Sequence, residues 1–260
     1  MKFSLNGAIA EVKLNRPEKH NGVNLELIDE LLAVAKQLKS QKAVRAVVIS
    51  GLGPSFCSGL DFASVGKRPK TMIWRFFMPP LRRANTYQRF AWAWRELPMP
   101  VIAAIHGNCF GAGIQLALAC DFRICHPEAK LSVMEAKWGL VPDMSGTVAL
   151  HELCRLDQAK RLVFTGEIIS ADRASELGLL TEIADEPRSK ALALAEQLSH
   201  FSPDAIKEAK ALLNSVGSRS ERSAFKHERW AQVRLLLSKN HAIAKKAAFK
   251  KQTPNFLDRR

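Results

Sequence analysis

The run Val101-Ile102-Ala103-Ala104-Ile105, introduced by Pro98 and Pro100, is apolar at every position. A strand exposed on one face alternates apolar and polar residues, so a strand with no polar position is covered on both faces, as in a parallel sheet lined by helices. Gly107 to Gly113 then form a small-residue loop, and Ile114, Leu116, Ala117, Leu118 and Ala119 carry a helix. The alternation recurs on both sides. Residues 8–15 alternate like a half-buried strand closed by Arg16-Pro17, and Asn24 is placed to cap a helix whose apolar Leu25, Ile28, Leu32, Ala35 and Leu38 share one face. Val44 to Ile49 form a second apolar strand before the turn Gly51-Leu52-Gly53-Pro54, and Asp121 to Cys125 and Lys130 to Met134 read as two more. From Ser189 to about Phe249 the pattern is helical throughout. The order predicts an α/β fold with a core over 1–188 and a helical C-terminal region over 189–260.

With 260 residues, 47% of them apolar, the chain can bury a full core. No window approaches eighteen uninterrupted apolar residues, so no membrane-spanning helix is expected. Met1-Lys2-Phe3 leads into a strand-like stretch without the features of a secretion signal. Five cysteines are few and odd in number, which predicts free thiols in a cytoplasmic protein. Cys120, Cys125 and His126 lack a second pair at metal-ligand spacing, so no metal is expected.

Lys and Arg outnumber Asp and Glu by 39 to 25, a net charge of +14 that favours anionic partners. The surplus is concentrated: Lys67 to Arg95 holds eight Lys/Arg and no acid, interleaved with Trp74, Phe76, Phe77, Tyr87, Phe90, Trp92 and Trp94. Two partly buried helices account for this segment; an RNA-binding or scaffolding surface is the alternative.

Ser58-Gly59-Leu60 and Gly111-Ala112-Gly113 each follow a strand, and the second opens a helix. Small residues there leave backbone N–H groups accessible, and two convergent donors stabilise an oxyanion or enolate. Neither the dinucleotide fingerprint nor a Walker loop is present: Gly111-Ala112-Gly113 is followed by Ile114-Gln115-Leu116, and no Gly-Lys-Ser/Thr occurs. His106, in the turn beside the second loop, reads as a buried, hydrogen-bonded imidazole.

Ala103 through Asp121, with its core His106-Gly107-Asn108-Cys109-Phe110-Gly111-Ala112-Gly113, strongly resembles the signature of the enoyl-CoA hydratase/isomerase (crotonase) family. Leu14-Asn15-Arg16-Pro17, Phe56-Cys57-Ser58-Gly59-Leu60-Asp61, Glu135 through Gly139-Leu140-Val141-Pro142, and Thr165-Gly166 resemble its other segments in the same order. The resemblance implies a crotonase-like spiral of ββα units, a helical C-terminal region that forms trimers or hexamers and closes the pocket, and acyl-CoA thioesters as substrates. CoA enters as part of the substrate and no separate cofactor is implied. CoA phosphates also explain a basic surface without nucleic acid.

Carried over residue by residue, the backbone N–H groups of Leu60 and Ala112 form the oxyanion hole. The two glutamates that hydratases of the family use fall on Gln115 and Glu135, so one carboxylate is replaced by an amide, which exchanges no proton near neutral pH. Asp143 resembles the second carboxylate of the family's dienoyl-CoA isomerases; its other reading is a cap for the helix after Met144-Ser145-Gly146-Thr147. Glu135 with Asp143 therefore predicts a double-bond isomerase, with Gln115 positioning substrate or a neighbouring group and Trp74 and Phe77 walling the acyl tunnel. Hydration by Glu135 alone is the alternative. Phe225, Trp230, Val233, Leu236 and Leu237 need a partner surface, which predicts self-association.

Overall fold

The computed structural model describes residues 1–77 and 83–260. The part of the basic aromatic segment at 78–82 lies outside the described residues. β1 (Lys2–Asn6) and β2 (Ile9–Leu14) form an antiparallel hairpin, followed by α1 (Leu25–Ser40) and β3 (Ala46–Gly51). The basic segment holds α3 (Pro69–Phe77) and α4 (Thr86–Arg95), after the short α2 (Phe62–Val65). β4 (Val101–Ile105), β5 (Asn108–Phe110), α5 (Ala112–Leu118), β6 (Phe122–Cys125) and β7 (Lys130–Ser132) follow. A 3-10 turn (Glu135–Trp138) leads to α6 (Gly146–Leu153), α7 (Leu156–Thr165), β8 (Ile169–Ser170), α8 (Ala171–Glu176) and β9 (Glu182–Ile183). The chain ends with α9 (Pro187–Ser199), α10 (Pro203–Val216), α11 (Glu221–Leu236) and α12 (Lys239–Lys250).

The larger sheet has the order β1-β2-β3-β4-β6-β9, parallel from β2 onward, and the smaller has the order β5-β7-β8. An isolated parallel bridge from Cys57 to Cys109 extends the smaller sheet by one position. Successive turns of chain therefore place one extended segment in each sheet and then a helix: β3 with Cys57, β4 with β5, β6 with β7. This is the ββα spiral. β5 lies inside the stretch read as a loop because its pairing, with Cys57 on one side and Lys130–Ser132 on the other, is long-range and leaves no local periodicity in a small-residue sequence.

β4 is buried along its whole length. Its odd-numbered residues Val101, Ala103 and Ile105 join a core with Val47, Ile49, Leu31, Phe90 and Trp94, while Ile102 and Ala104 face Ala46, Val48, Ile124, Ala191 and Ala195. Strand side chains alternate between faces, so the sheet needs two covers. α1 and α4 line one core, and the Ala191–Ala195 stripe of α9 supplies the other. α9 begins at Pro187 and packs on the second face of the sheet, where its small alanines let a helix approach closely. The C-terminal end is tied down as well, with Arg259 donating to Val44 O and Gln41 O at 3.0 Å each.

Asn24 caps α1 as expected, its side-chain oxygen accepting from Leu27 N at 2.9 Å. Asn24→Ala is expected to cost about 1 kcal/mol of stability, measurable as a lower urea midpoint at unchanged slope. His106 is half-buried rather than buried; its Nε2 donates to Gly53 O at 2.9 Å. Burial pushes the Cys57, Cys120 and Cys125 thiols up to about 12, so they stay protonated at neutral pH. Among the described residues, no helix is long and apolar enough to cross a membrane.

Candidate active site

The two glycine loops meet. Gly59 and Gly111 both have positive φ, +98° and +51°, and a methyl group placed on Gly111 would stand 3.6 Å from Gly59 Cα. Only glycine takes these conformations without strain and allows so close an approach of backbones. Val23 N donates to Gly59 O at 2.7 Å and Val23 O accepts from Asp61 N at 2.9 Å, which turns the intervening Leu60 amide the other way. Ala112 is the first residue of α5, where helix geometry leaves its N–H without an intrahelical acceptor. Neither amide has an acceptor among the described residues, and Leu60 and Ala112 line one pocket.

Glu135, Gln115 and Asp143 line the same pocket. Gln115 is the best-determined of the three: its Oε1 accepts from Met144 N at 2.8 Å and Gly146 N at 3.0 Å, which fixes the amide orientation and leaves Nε2 to donate to Glu135 Oε1 at 2.6 Å. Gly146 is required for this clamp, since a methyl group there would stand 2.7 Å from Gln115. Gln115 thus holds Glu135. The 3-10 turn that carries Glu135 closes at Gly139 in the left-handed region, and Glu135 is only 9% exposed. Its Oε2 is buried without a hydrogen-bond partner among the described residues.

Burial raises the Glu135 carboxyl above the usual carboxylate range, and the negative charge of Asp143 adds to the shift, while the Gln115 hydrogen bond opposes it. Burial also raises Asp143, partly offset by its own backbone N–H. Asp143 does not cap α6: Ser145 holds the cap position, and no side-chain bond caps that helix. A desolvated carboxylate with one oxygen unpartnered, in a pocket also lined by two residues whose N–H groups have no acceptor among the described residues, is equipped to take a proton from carbon and leave the charge on a carbonyl oxygen.

The apolar wall differs from expectation. Trp74 and Phe77 are 59% and 71% exposed on α3, and neither is among the described residues that line the pocket. α4 turns Tyr87, Phe90 and Trp94 inward instead and spends those aromatics on the core, while α3 buries no residue. The pocket is walled by Phe62, Met134, Trp138, Leu140 and Met144, with the Phe62 and Trp138 rings 4.8 Å apart. Trp138 stood inside the Glu135-to-Gly139 run and Phe62 directly after the first loop; proximity to a catalytic segment was the available signal. Three cations of the basic segment are paired within the chain: Arg68 with Glu26, Arg75 with Asp29 and Arg95 with Glu152, at 2.6–2.8 Å.

The family model for enoyl-CoA hydratase/isomerase matches residues 4–259. The chain belongs to this family. It is 33% identical over 229 residues to the mitochondrial Delta(3,5)-Delta(2,4)-dienoyl-CoA isomerase of Rattus norvegicus, covering 81% of this chain and 66% of that protein. It is 31% identical over 211 residues to a short-chain-enoyl-CoA hydratase of Clostridium acetobutylicum, covering 80% and 78%. Among solved structures, an enoyl-CoA hydratase from Polaromonas sp. JS666 superposes with a TM-score of 0.88 at 29% identity over 98% of this chain and 99% of that one. The ββα spiral is therefore the crotonase fold, and the chain is an enzyme of the enoyl-CoA hydratase/isomerase type.

Proposed function

We propose that this enzyme shifts a carbon–carbon double bond in an enoyl- or dienoyl-CoA. The observation that carries this reading is the locked Gln115 amide: where a second carboxylate would flank a water for hydration, the site has a neutral group committed to Glu135. The second carboxylate of the pocket is Asp143, eight residues further on.

Ionised Glu135 removes a proton from the saturated carbon between the thioester and the double bond, the α carbon. The C–H electron pair moves into the chain and onto the carbonyl oxygen, where the N–H groups of Leu60 and Ala112 hold the enolate. The double bond re-forms one position along as a proton returns to another carbon, from Glu135 itself or from Asp143. No water is consumed and no cofactor is needed. Conjugation of 3-enoyl-CoA or 3,5-dienoyl-CoA followed by ultraviolet absorbance tests the reading; absence of a shift at every chain length, with 3-hydroxyacyl-CoA formed from 2-enoyl-CoA, would assign hydration instead.

The acyl wall is tested separately. Trp138→Ala is expected to weaken long acyl-CoA binding by about fivefold to tenfold, the value of roughly 1 kcal/mol of lost apolar contact, and short acyl-CoA less. Trp74→Ala should leave both unchanged in a competition titration. The exposed Leu213, Phe225, Trp230, Leu236 and Leu237 of the C-terminal helices support self-association as a trimer or hexamer, which light scattering measures directly. The free cysteines suit a cytoplasmic location.

A further inference from the structure

An oxyanion donor must be aimed as well as free, and the loop that carries Leu60 has only the four-residue α2 behind it. Residues 16–24 brace it instead. Val23 holds both flanks of Leu60 through the bonds to Gly59 O and Asp61 N. Arg16 ties that brace to the loop with a fork: Nη1 donates to Gly22 O, next to Val23, and Nη2 donates to Asp61 Oδ2 at 3.0 Å, next to Leu60. Asp61 accepts two further bonds, from Ser64 N at 3.1 Å and Ser64 Oγ at 2.6 Å. The Arg16 backbone N–H is fixed in turn by Asn21 Oδ1 at 2.8 Å, and fully buried Asn21 donates to Leu52 O and Ser55 O.

Both partners of the pair are largely shielded, at 20% and 13% side-chain exposure, yet neither is among the described residues that line the pocket. We infer that the Arg16–Asp61 ion pair is a positioning device for catalysis: it fixes the Gly22–Val23 segment against Asp61 and so aims the Leu60 N–H at the substrate oxygen. The inference rests on the reading of Leu60 as a donor to the thioester, not on which carbon is protonated. A guanidinium suits the role because it bonds two acceptors in a fixed plane, which a lysine ammonium cannot reproduce. A carboxylate suits it because three donors converge on Asp61, and an amide offers one acceptor oxygen and turns a donor toward the rest.

A bound 2,4-dienoyl-CoA reports the donor directly, because hydrogen bonds to its carbonyl red-shift the absorption and lower the C=O stretch without any turnover. Asp61→Asn and Arg16→Ala are expected to lose most of the red shift and about tenfold to a hundredfold in kcat, the scale of a small misplacement, while Kd for the dienoyl-CoA stays within about threefold. Arg16→Lys should recover part of both signals. Ser64→Ala, which removes one bond to Asp61 and leaves the ion pair, should keep the red shift. Folded Asp61→Asn or Arg16→Ala protein with an undiminished red shift overturns the inference, as does a Ser64→Ala variant that loses as much as Asp61→Asn. If the wild-type red shift and its loss are seen but no double bond moves in any substrate, the positioning role stands and the isomerase reading fails; if the double bond moves and Asp61→Asn is spectroscopically silent, the reverse holds.

Discussion

Glu135→Gln is expected to lower turnover by about 10²–10⁴, the contribution of positioned proton transfer, while acyl-CoA affinity stays within about threefold. The separation follows from geometry. In the proposed reading the Leu60 and Ala112 N–H groups and the apolar wall hold the substrate, and the substitution touches none of these pocket residues. Glutamine fills the same volume, and its oxygen can still accept from Gln115 Nε2, so the clamp survives. The same variant is expected to be more stable than the parent at neutral pH. The folded-state pKa of Glu135 is raised, so between the unfolded and folded values the native state holds more protons than the unfolded one, and stability falls as pH rises through that window. Glutamine removes the buried charge responsible for that loss. Activity in the parent runs the opposite way: the base must be ionised, so kcat declines on the acid side at a higher pH than an ordinary carboxylate would give. Loss of turnover together with loss of affinity would place Glu135 in substrate binding rather than in proton transfer.

What the sequence disclosed depended on the range of the interactions. β4, α1 and its Asn24 cap were legible because they follow from local rules, an apolar run and a spacing of three and four. The loops at Gly59 and Gly111 were legible because only glycine tolerates their backbone, and this leaves a mark in the sequence. β5 and the role of α9 were not, since both depend on pairing and packing between distant segments. The aromatic residues show the same limit more sharply. Trp74, Phe77, Tyr87 and Trp94 lie on two amphipathic helices, and composition alone does not say which face turns inward; the structure buries Tyr87 and Trp94 and leaves Trp74 and Phe77 outside. Gln115 and Glu135 were visible as a pair only through the family resemblance, and the clamp between them was not visible at all, because it runs through the backbone N–H groups of Met144 and Gly146.

That clamp makes Gln115→Glu the most informative substitution in the pocket. A glutamate at 115 keeps one oxygen for Met144 N and Gly146 N and places the other where Nε2 now stands, 2.6 Å from Glu135 Oε1. Two carboxylates at that distance do not both ionise; they share one proton, and the apparent pKa values belong to the pair. Two consequences follow at neutral pH. The base form of Glu135 becomes scarcer, so isomerisation is expected to fall by about tenfold and its acid limb to move to higher pH. The site also acquires the acid and base pair that the family resemblance associates with hydration, so 3-hydroxyacyl-CoA formation from 2-enoyl-CoA should rise by about 10² or more, the value of general acid–base assistance. Product analysis of the variant against both substrate classes, across pH, reads the two effects independently. A rise in hydration would show that the amide at 115 is what sets the reaction; isomerisation unchanged in rate and pH profile would mean that the proton passes through Asp143 and that Glu135 with its clamp serves only to shape the pocket.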